Sequence, residues 1–277
     1  MEQPDSRTGA TGPGCPPPAQ IAGMLQAATL APSMHNTQPW RFRIQRDVQT
    51  IELYADPARM LARSDPHGRA VHIGCGAALF NLRVAVAVAG RQPVVRLLPA
   101  PGEPSLLATL RFAGPHRPDE AERDLHAAIP ARHTNRGPYS GRPVPPGVLA
   151  ELVQAAQLEG ASLHVPGHLE AQRLLRLAAD AETGLLGDPG YRAELVRWAG
   201  GERGDEGIPG SAVGPRDPRG STPVRDFLGG PVAGYAWFEE SPQLAVLSTT
   251  TSTRADWLRA GQALQRVLLT ATCHGIA

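Results

Sequence analysis

Residues 74–90 read GCGAALFNLRVAVAVAG, and residues 261–275 read GQALQRVLLTATCHG. Each run starts at Gly, passes through Ala-Leu and ends at Gly, with apolar residues at helical spacing. A strand-and-turn unit precedes each run. Helical patterns at 21–30 and 148–158 stand at matching places ahead of them. This weak self-similarity fits one supersecondary unit used twice, or two unrelated helices alike by chance. The expected organisation is two related halves, 19–129 and 130–277. A Pro/Gly-rich tail at 1–18 precedes them and is expected to be disordered.

A chain of 277 residues with 42% hydrophobic content can bury a core in each of two such halves. All 27 basic residues are Arg. That excludes a Walker lysine, a Schiff-base lysine and any catalytic lysine, so an anion must be held by Arg, backbone N–H groups or hydroxyls. The net charge of +1 gives no polyanion-binding surface, and no nucleic-acid partner is expected. Cys15, Cys75 and Cys273 are far apart and suit a reducing compartment. The N-terminal stretch has no apolar signal-like core. The most apolar run, 70–90, contains His72 and Arg83 and is interrupted by Gly74 and Gly76, so it reads as a core helix and not a membrane span. A cytoplasmic location without a membrane partner is the expectation.

Helices are expected over 19–30, 74–90, 119–128, 145–157, 169–181, 191–198 and 255–272. Strands are expected over 41–44, 51–54, 94–98, 106–112, 163–165 and 243–248. Residues 199–235 are dense in Gly and Pro and read as a long irregular arm or lid.

Two polar clusters carry the candidate chemistry. The first is Pro32-Ser33-Met34-His35-Asn36-Thr37-Gln38-Pro39-Trp40, between a helix and a strand. Ser33, His35, Asn36 and Gln38 offer alternating donors and acceptors for a flat, amide-like ring. The same residues also suit a plain turn in which Ser33 and Asn36 only cap backbone groups. The second is Arg132-His133-Thr134-Asn135-Arg136. Two guanidinium groups and a hydroxyl there can grip a phosphate, or simply form a solvated basic loop. Phosphate at one cluster and a heterocycle at the other suggest flavin mononucleotide, FMN. Gly74-Cys75-Gly76 after 71–73 invites a dinucleotide fingerprint, but the third glycine position holds Leu79.

Residues 32–40 resemble the P-S-x-x-N-x-Q-P-W motif of the FMN-dependent nitroreductase superfamily. Arg132–Arg136 with Arg142-Pro143-Val144-Pro145 resembles its R-x-S-x-R…R-P-V-P pattern. Both motifs, with Asp56-Pro57 and the 257–264 run WLRAGQAL, resemble the fused, stress-associated Acg-like branch. The resemblance implies an α+β fold of central antiparallel or mixed sheets flanked by helices, in two fused pseudo-dimeric halves. In ordinary members each subunit carries both motifs, and two subunits build two flavin sites. Here the first half keeps one motif and the second half the other. The resemblance therefore implies a monomeric pseudo-dimer with one complete FMN site. Arg132, Thr134 and Arg136 would hold the phosphate and ribityl end, with His133 beside them. Pro32, Ser33, Met34, His35, Asn36 and Gln38 would reach the flavin from the other half, and Trp40 would belong to the core.

By the same resemblance, the activity is hydride transfer from NAD(P)H through FMN to a nitro or quinone-like acceptor. The cofactor performs that chemistry, so no catalytic acid or base is assigned. Residues 199–235 resemble a lid over the flavin, which supports an alternative role as an FMN-sequestering stress protein with little turnover. Relatives continue beyond the helix that ends near Ala277, and the chain reads as C-terminally truncated. No metal-ligand spacing is found around His35, His133 or His274.

Overall fold

The apolar run at 74–90 lies within the central helix of the molecule, whose computed structural model describes residues 15–199, 206–219 and 234–276. In chain order the elements are Pro18–Thr29 (α1), Trp40–Gln45 (β1), Thr50–Ala55 (β2), Arg69–Val88 (α2), Arg91–Leu97 (β3), Leu106–Pro115 (β4) and Glu120–Ala128 (α3). They continue with Pro146–Leu158 (α4), Ser162–His164 (β5), His168–Gly187 (α5), Pro189–Trp198 (α6), Val246–Ser248 (β6) and Arg254–Cys273 (α7). The tail at 1–14 lies outside the described residues, and Cys15 to Pro17 lead into α1.

Four strands form an antiparallel sheet in the order β1-β2-β4-β3. Alternation places Ile51 and Leu53 of β2 beside Leu110 and Ala108 of β4, and Val95 and Leu97 of β3 meet the same two residues from the other side. These side chains and α1 bury one flank of α2. Fifteen α2 residues are buried, so its length and apolarity reflect a core helix. β5 and β6 form a separate antiparallel pair, and α4 packs on α7 through Leu152, Ala155, Ala156 and Val267. The chain is thus mixed α+β, with helices on antiparallel sheet.

Helix α7 crosses α2 at two glycines. A Cβ on Gly76 would lie 2.3 Å from Leu258 O, and one on Gly261 would lie 2.0 Å from Ile73 O. The contacts along this pair recur at a constant sequence offset. His72 stacks edge-on against Trp257 with centroids 5.5 Å apart. Arg254 Nε donates to His72 Nε2 at 2.9 Å, while Arg69 covers the Trp257 ring at 5.6 Å. Gln265 Nε2 donates to Asn81 Oδ1 at 2.8 Å, while Arg266 covers Phe80 at 5.3 Å. Exchanging the two helices therefore maps one set of contacts onto the other, as an isologous interface does.

Several boundaries differ from the sequence expectation. α2 starts at Arg69 because the buried Asp65 carboxylate accepts from Val71 N at 2.9 Å, one turn before the first glycine. Residues 71–73 are therefore helical, which removes the strand a dinucleotide fingerprint needs. β3 starts at Arg91 because Gly90, at φ 81°, turns the chain directly out of α2. α5 runs on to Gly187 because no stop occurs before Asp188, whose side chain then caps α6. The last strand shrinks to Val246–Ser248, matching its three-residue partner β5. Of the arm expected at 199–235, residues 200–205 and 220–233 lie outside the described residues. Its described parts hold one 3-10 turn, Gly210–Ala212, and two isolated bridges.

Two groups at the α2–α7 helix ends link folding to pH. His72 Nδ1 lies 2.6 Å from Gly68 O while Nε2 accepts from Arg254, an arrangement that needs neutral imidazole with Nδ1 protonated. Burial, opposed by the Gly68 bond and reinforced by Arg254, pushes the His72 pKa down. The Thr251 and Thr253 hydroxyls, the Thr253 N–H and Arg259 hold the Asp256 carboxyl well below the usual carboxylate range. The unfolded chain binds more protons at both groups. Stability should fall as pH drops below about 6.5 through His72, and again below about 4 through Asp256. Thermal melts across this range check it, and His72→Gln should flatten the first step only.

Candidate functional site

Pro32 stops α1, and the chain reverses toward β1 through a single 3-10 turn, Met34–Asn36. His35, Asn36 and Gln38 have φ of 53°, 51° and 48°. Left-handed backbone is uncommon for non-glycine residues and is held only where the surroundings impose it. Those restraints are visible. Ser33 Oγ accepts from Gln38 N at 2.9 Å, and Arg59 Nη1 donates to Thr37 O at 2.9 Å. Cys75 Sγ in α2 lies 3.5 Å from Pro39 O. Gly74 supplies the clearance, since a Cβ there would lie 3.3 Å from Ser33 Cβ. His35, Thr37 and Trp40 are buried, and Trp40 joins the core as expected.

Ser33 and Asn36 both bond backbone groups, Ser33 within the turn and Asn36 on another segment. Asn36 Nδ2 donates to Gly207 O at 3.1 Å, and Gly207 N donates back to Asn36 O at 3.0 Å. Asn36 therefore binds a segment far away in sequence.

The second cluster follows α3. Arg132 N closes onto Ala128 O at 3.0 Å, which turns the side chain toward α1. Arg132 Nη2 then donates to Leu30 O at 3.3 Å, just ahead of Pro32. Its Nε is buried with no hydrogen-bond partner, and burial pushes the guanidinium pKa down. An arginine stays charged under such a shift, leaving a fixed positive donor without an acceptor. Arg136 Nη1 donates to Ala212 O at 3.2 Å, and Gly214 packs so closely that a Cβ would lie 2.1 Å from Arg136 O. Arg132, His133, Thr134 and Asn135 line a pocket of about 510 Å³ with the C-terminal turn of α7. His133 and Thr134 are exposed in it, and residues 32–38 do not line it.

The predicted residues thus fall into two groups. Arg132 touches the chain leading into the first motif. Residues 206–214 bind Asn36 at one end and Arg136 at the other. His133 and Thr134 face the α7 side. Sequence reasoning missed Arg59, which braces the strained loop, and Glu206, its ion-pair partner at 2.5 Å. Arg59 had one local signal, its position one turn after Asp56, with which it pairs at 3.4 Å. Among the described residues, no group of three or more His, Cys, Asp or Glu side chains is placed to hold a metal ion.

A family profile described as "Nitroreductase family" matches residues 13–124. Two Mycobacterium tuberculosis (strain H37Rv) proteins printed as "Putative NAD(P)H nitroreductase", Rv3131 and acg, are 36% and 35% identical to the chain. Each alignment covers 93% of this chain, and they cover 74% and 78% of the two relatives. The same organism's "Uncharacterized protein Rv3127" is 32% identical over 92% of the chain and 76% of its own length. The chain belongs to the nitroreductase family.

Proposed function

We propose that the chain is an FMN-binding oxidoreductase with a single flavin cleft between two fused nitroreductase-like halves, 19–129 and 130–277. The observation that carries this reading is Arg132. It reaches from the second motif to Leu30, beside the first motif, and keeps a buried, unpartnered Nε. That donor suits an oxyanion, and Arg132 also lines a pocket with room for a phosphate and polyol chain. The constant-offset contacts of α2 and α7 support the fused pseudo-dimer, and on this reading one chain suffices for the site.

When bound, FMN would accept hydride from NAD(P)H and pass it to a nitro or quinone-like acceptor. Arg132 and Arg136 would hold the phosphate charge, with the Thr134 hydroxyl and His133 beside it. Pro32, Ser33, Met34, His35, Asn36 and Gln38 would present the flavin-side wall, kept in shape by Arg59. Residues 206–214 would exclude water from the cleft. The relatives' NAD(P)H names support the choice of donor.

Arg132→Ala removes a charge-assisted contact of about 1.5–3 kcal/mol, so the FMN Kd should rise roughly 10- to 150-fold. Fluorescence titration checks this, and an unchanged Kd would remove Arg132 from the site. The segment spanning Asn36 and Arg136 favours a second reading, in which the chain stores FMN and turns over little. Bleaching of the flavin by NAD(P)H, with recovery on adding a nitro compound or quinone, supports the first reading. Absence of bleaching supports the second.

A further inference from the structure

Residues 206–214 follow α6, and two sets of contacts of different character pin this part of the chain to the first half. The α6 contact is polar. Glu194 accepts from Arg63 N at 3.0 Å, Ser64 N at 2.9 Å and Ser64 Oγ at 2.6 Å. The contact at 206–208 is a small ionic assembly. Gly207 exchanges its two bonds with Asn36, and Ile208 N donates to Trp198 O at 2.8 Å with its side chain buried. Glu206 meets Arg59, and the two side chains remain 37% and 27% exposed.

Arg59 connects this assembly to the strained loop. One terminal nitrogen donates to Thr37 O, the other faces Glu206, and Nε faces Asp56. A single guanidinium therefore holds both the loop that carries Asn36 and the residue next to Gly207. Neutralising Glu206 would remove the ionic anchor of the segment and leave the Glu194, Asn36 and Arg136 contacts in place. The pair is exposed enough for salt to screen it.

We propose that Arg59 and Glu206 form an electrostatic latch. It seats residues 206–214 on Asn36 and sets the rate at which FMN exchanges from the cleft. The exchange arm of this inference rests on the FMN reading above; the seating of the segment does not. Asn36 thereby acts as a docking point for the segment in addition to any flavin contact.

The test compares the protein with Glu206→Gln, which removes the charge and keeps the shape. Two quantities are read: hydrogen exchange at the Gly207 and Ile208 amides, and release of bound FMN followed by its fluorescence. The variant should exchange these amides and release FMN about three- to fivefold faster at low salt. The unsubstituted protein should approach the variant's rates at about 1 M NaCl, where the screening length is about 3 Å, while the variant changes little. Glu240→Gln, which removes the exposed partner of Arg219, should leave both quantities unchanged. Equal amide exchange in protein and Glu206→Gln would overturn the latch. Faster amide exchange with unchanged FMN release would overturn its control of the cofactor. If the unsubstituted protein takes up no FMN, the FMN reading fails, and amide exchange alone still decides the latch.

Discussion

Gly76→Ala should lower the stability of the chain by about 2 kcal/mol and separate α7 from α2. The new methyl would meet Leu258 O at 2.3 Å, Leu258 C at 3.0 Å and Gly261 Cα at 3.0 Å. All three are backbone atoms, so no side chain can rotate away. Overpacking of this kind costs about 3 kcal/mol at the upper end of its usual range, offset by about 1 kcal/mol of helix propensity gained on replacing glycine. The midpoint of urea unfolding reads the net loss. Gly261→Ala should behave alike, because its methyl would meet Ile73 O at 2.0 Å. Gly23→Ala in α1 is the contrast: nothing lies within 4 Å of its Cβ position, so it should gain about 0.5–1 kcal/mol. A neutral Gly76→Ala would mean that close approach of the two helices is not what seats α7.

Glu159→Ala should cost about 2–3 kcal/mol. The Glu159 side chain is 6% exposed, and it accepts from Arg83 Nη1 at 2.6 Å and Arg266 Nε at 3.0 Å. The two guanidinium groups flank the Phe80 ring at 5.5 Å and 5.3 Å. Removing one partner of a buried ion pair costs about 3–5 kcal/mol, because the remaining charge is desolvated and uncompensated. The arginines keep 29% and 24% exposure, which lowers that figure here. Glu159→Leu with Arg83→Met and Arg266→Met should recover much of the loss, since apolar groups of similar volume often replace such networks without penalty. A double loss in the triple variant would contradict this account.

Glu159 also bears on the asymmetry between the halves. It caps α4, as Leu30 caps α1, yet no second copy of the first motif follows it. A short turn through Gly160 at φ 75° leads straight into β5. On the proposed fused-dimer reading, the place of a second flavin loop is taken by an ion pair that locks α4 to α2 and α7.

Local chemistry made much of the fold legible. Asp119 with Glu122, and Thr253 with Asp256, form capping boxes that mark the starts of α3 and α7 in sequence. Proline marks the starts of α1, α4 and α6. Alternation in 40–55 gave the β1–β2 hairpin. The start of α2 was hidden because the carboxylate that accepts from its Val71 amide, Asp65, lies six residues earlier across a Gly68 turn. In the candidate site, the motif residues were legible as a local pattern. Their partners were not. Asn36 binds Gly207, Arg59 pairs with Glu206 and Arg136 meets Ala212, all through tertiary contacts that no local periodicity encodes.

The proposed single flavin cleft, assembled from a motif of each half, fixes how much cofactor one chain can hold. The direct measurement is the amount of FMN retained per chain by the purified protein after saturation and removal of free flavin. One FMN per chain is expected, with Arg132→Ala losing it. Two FMN per chain, or none at saturating concentration, would contradict it.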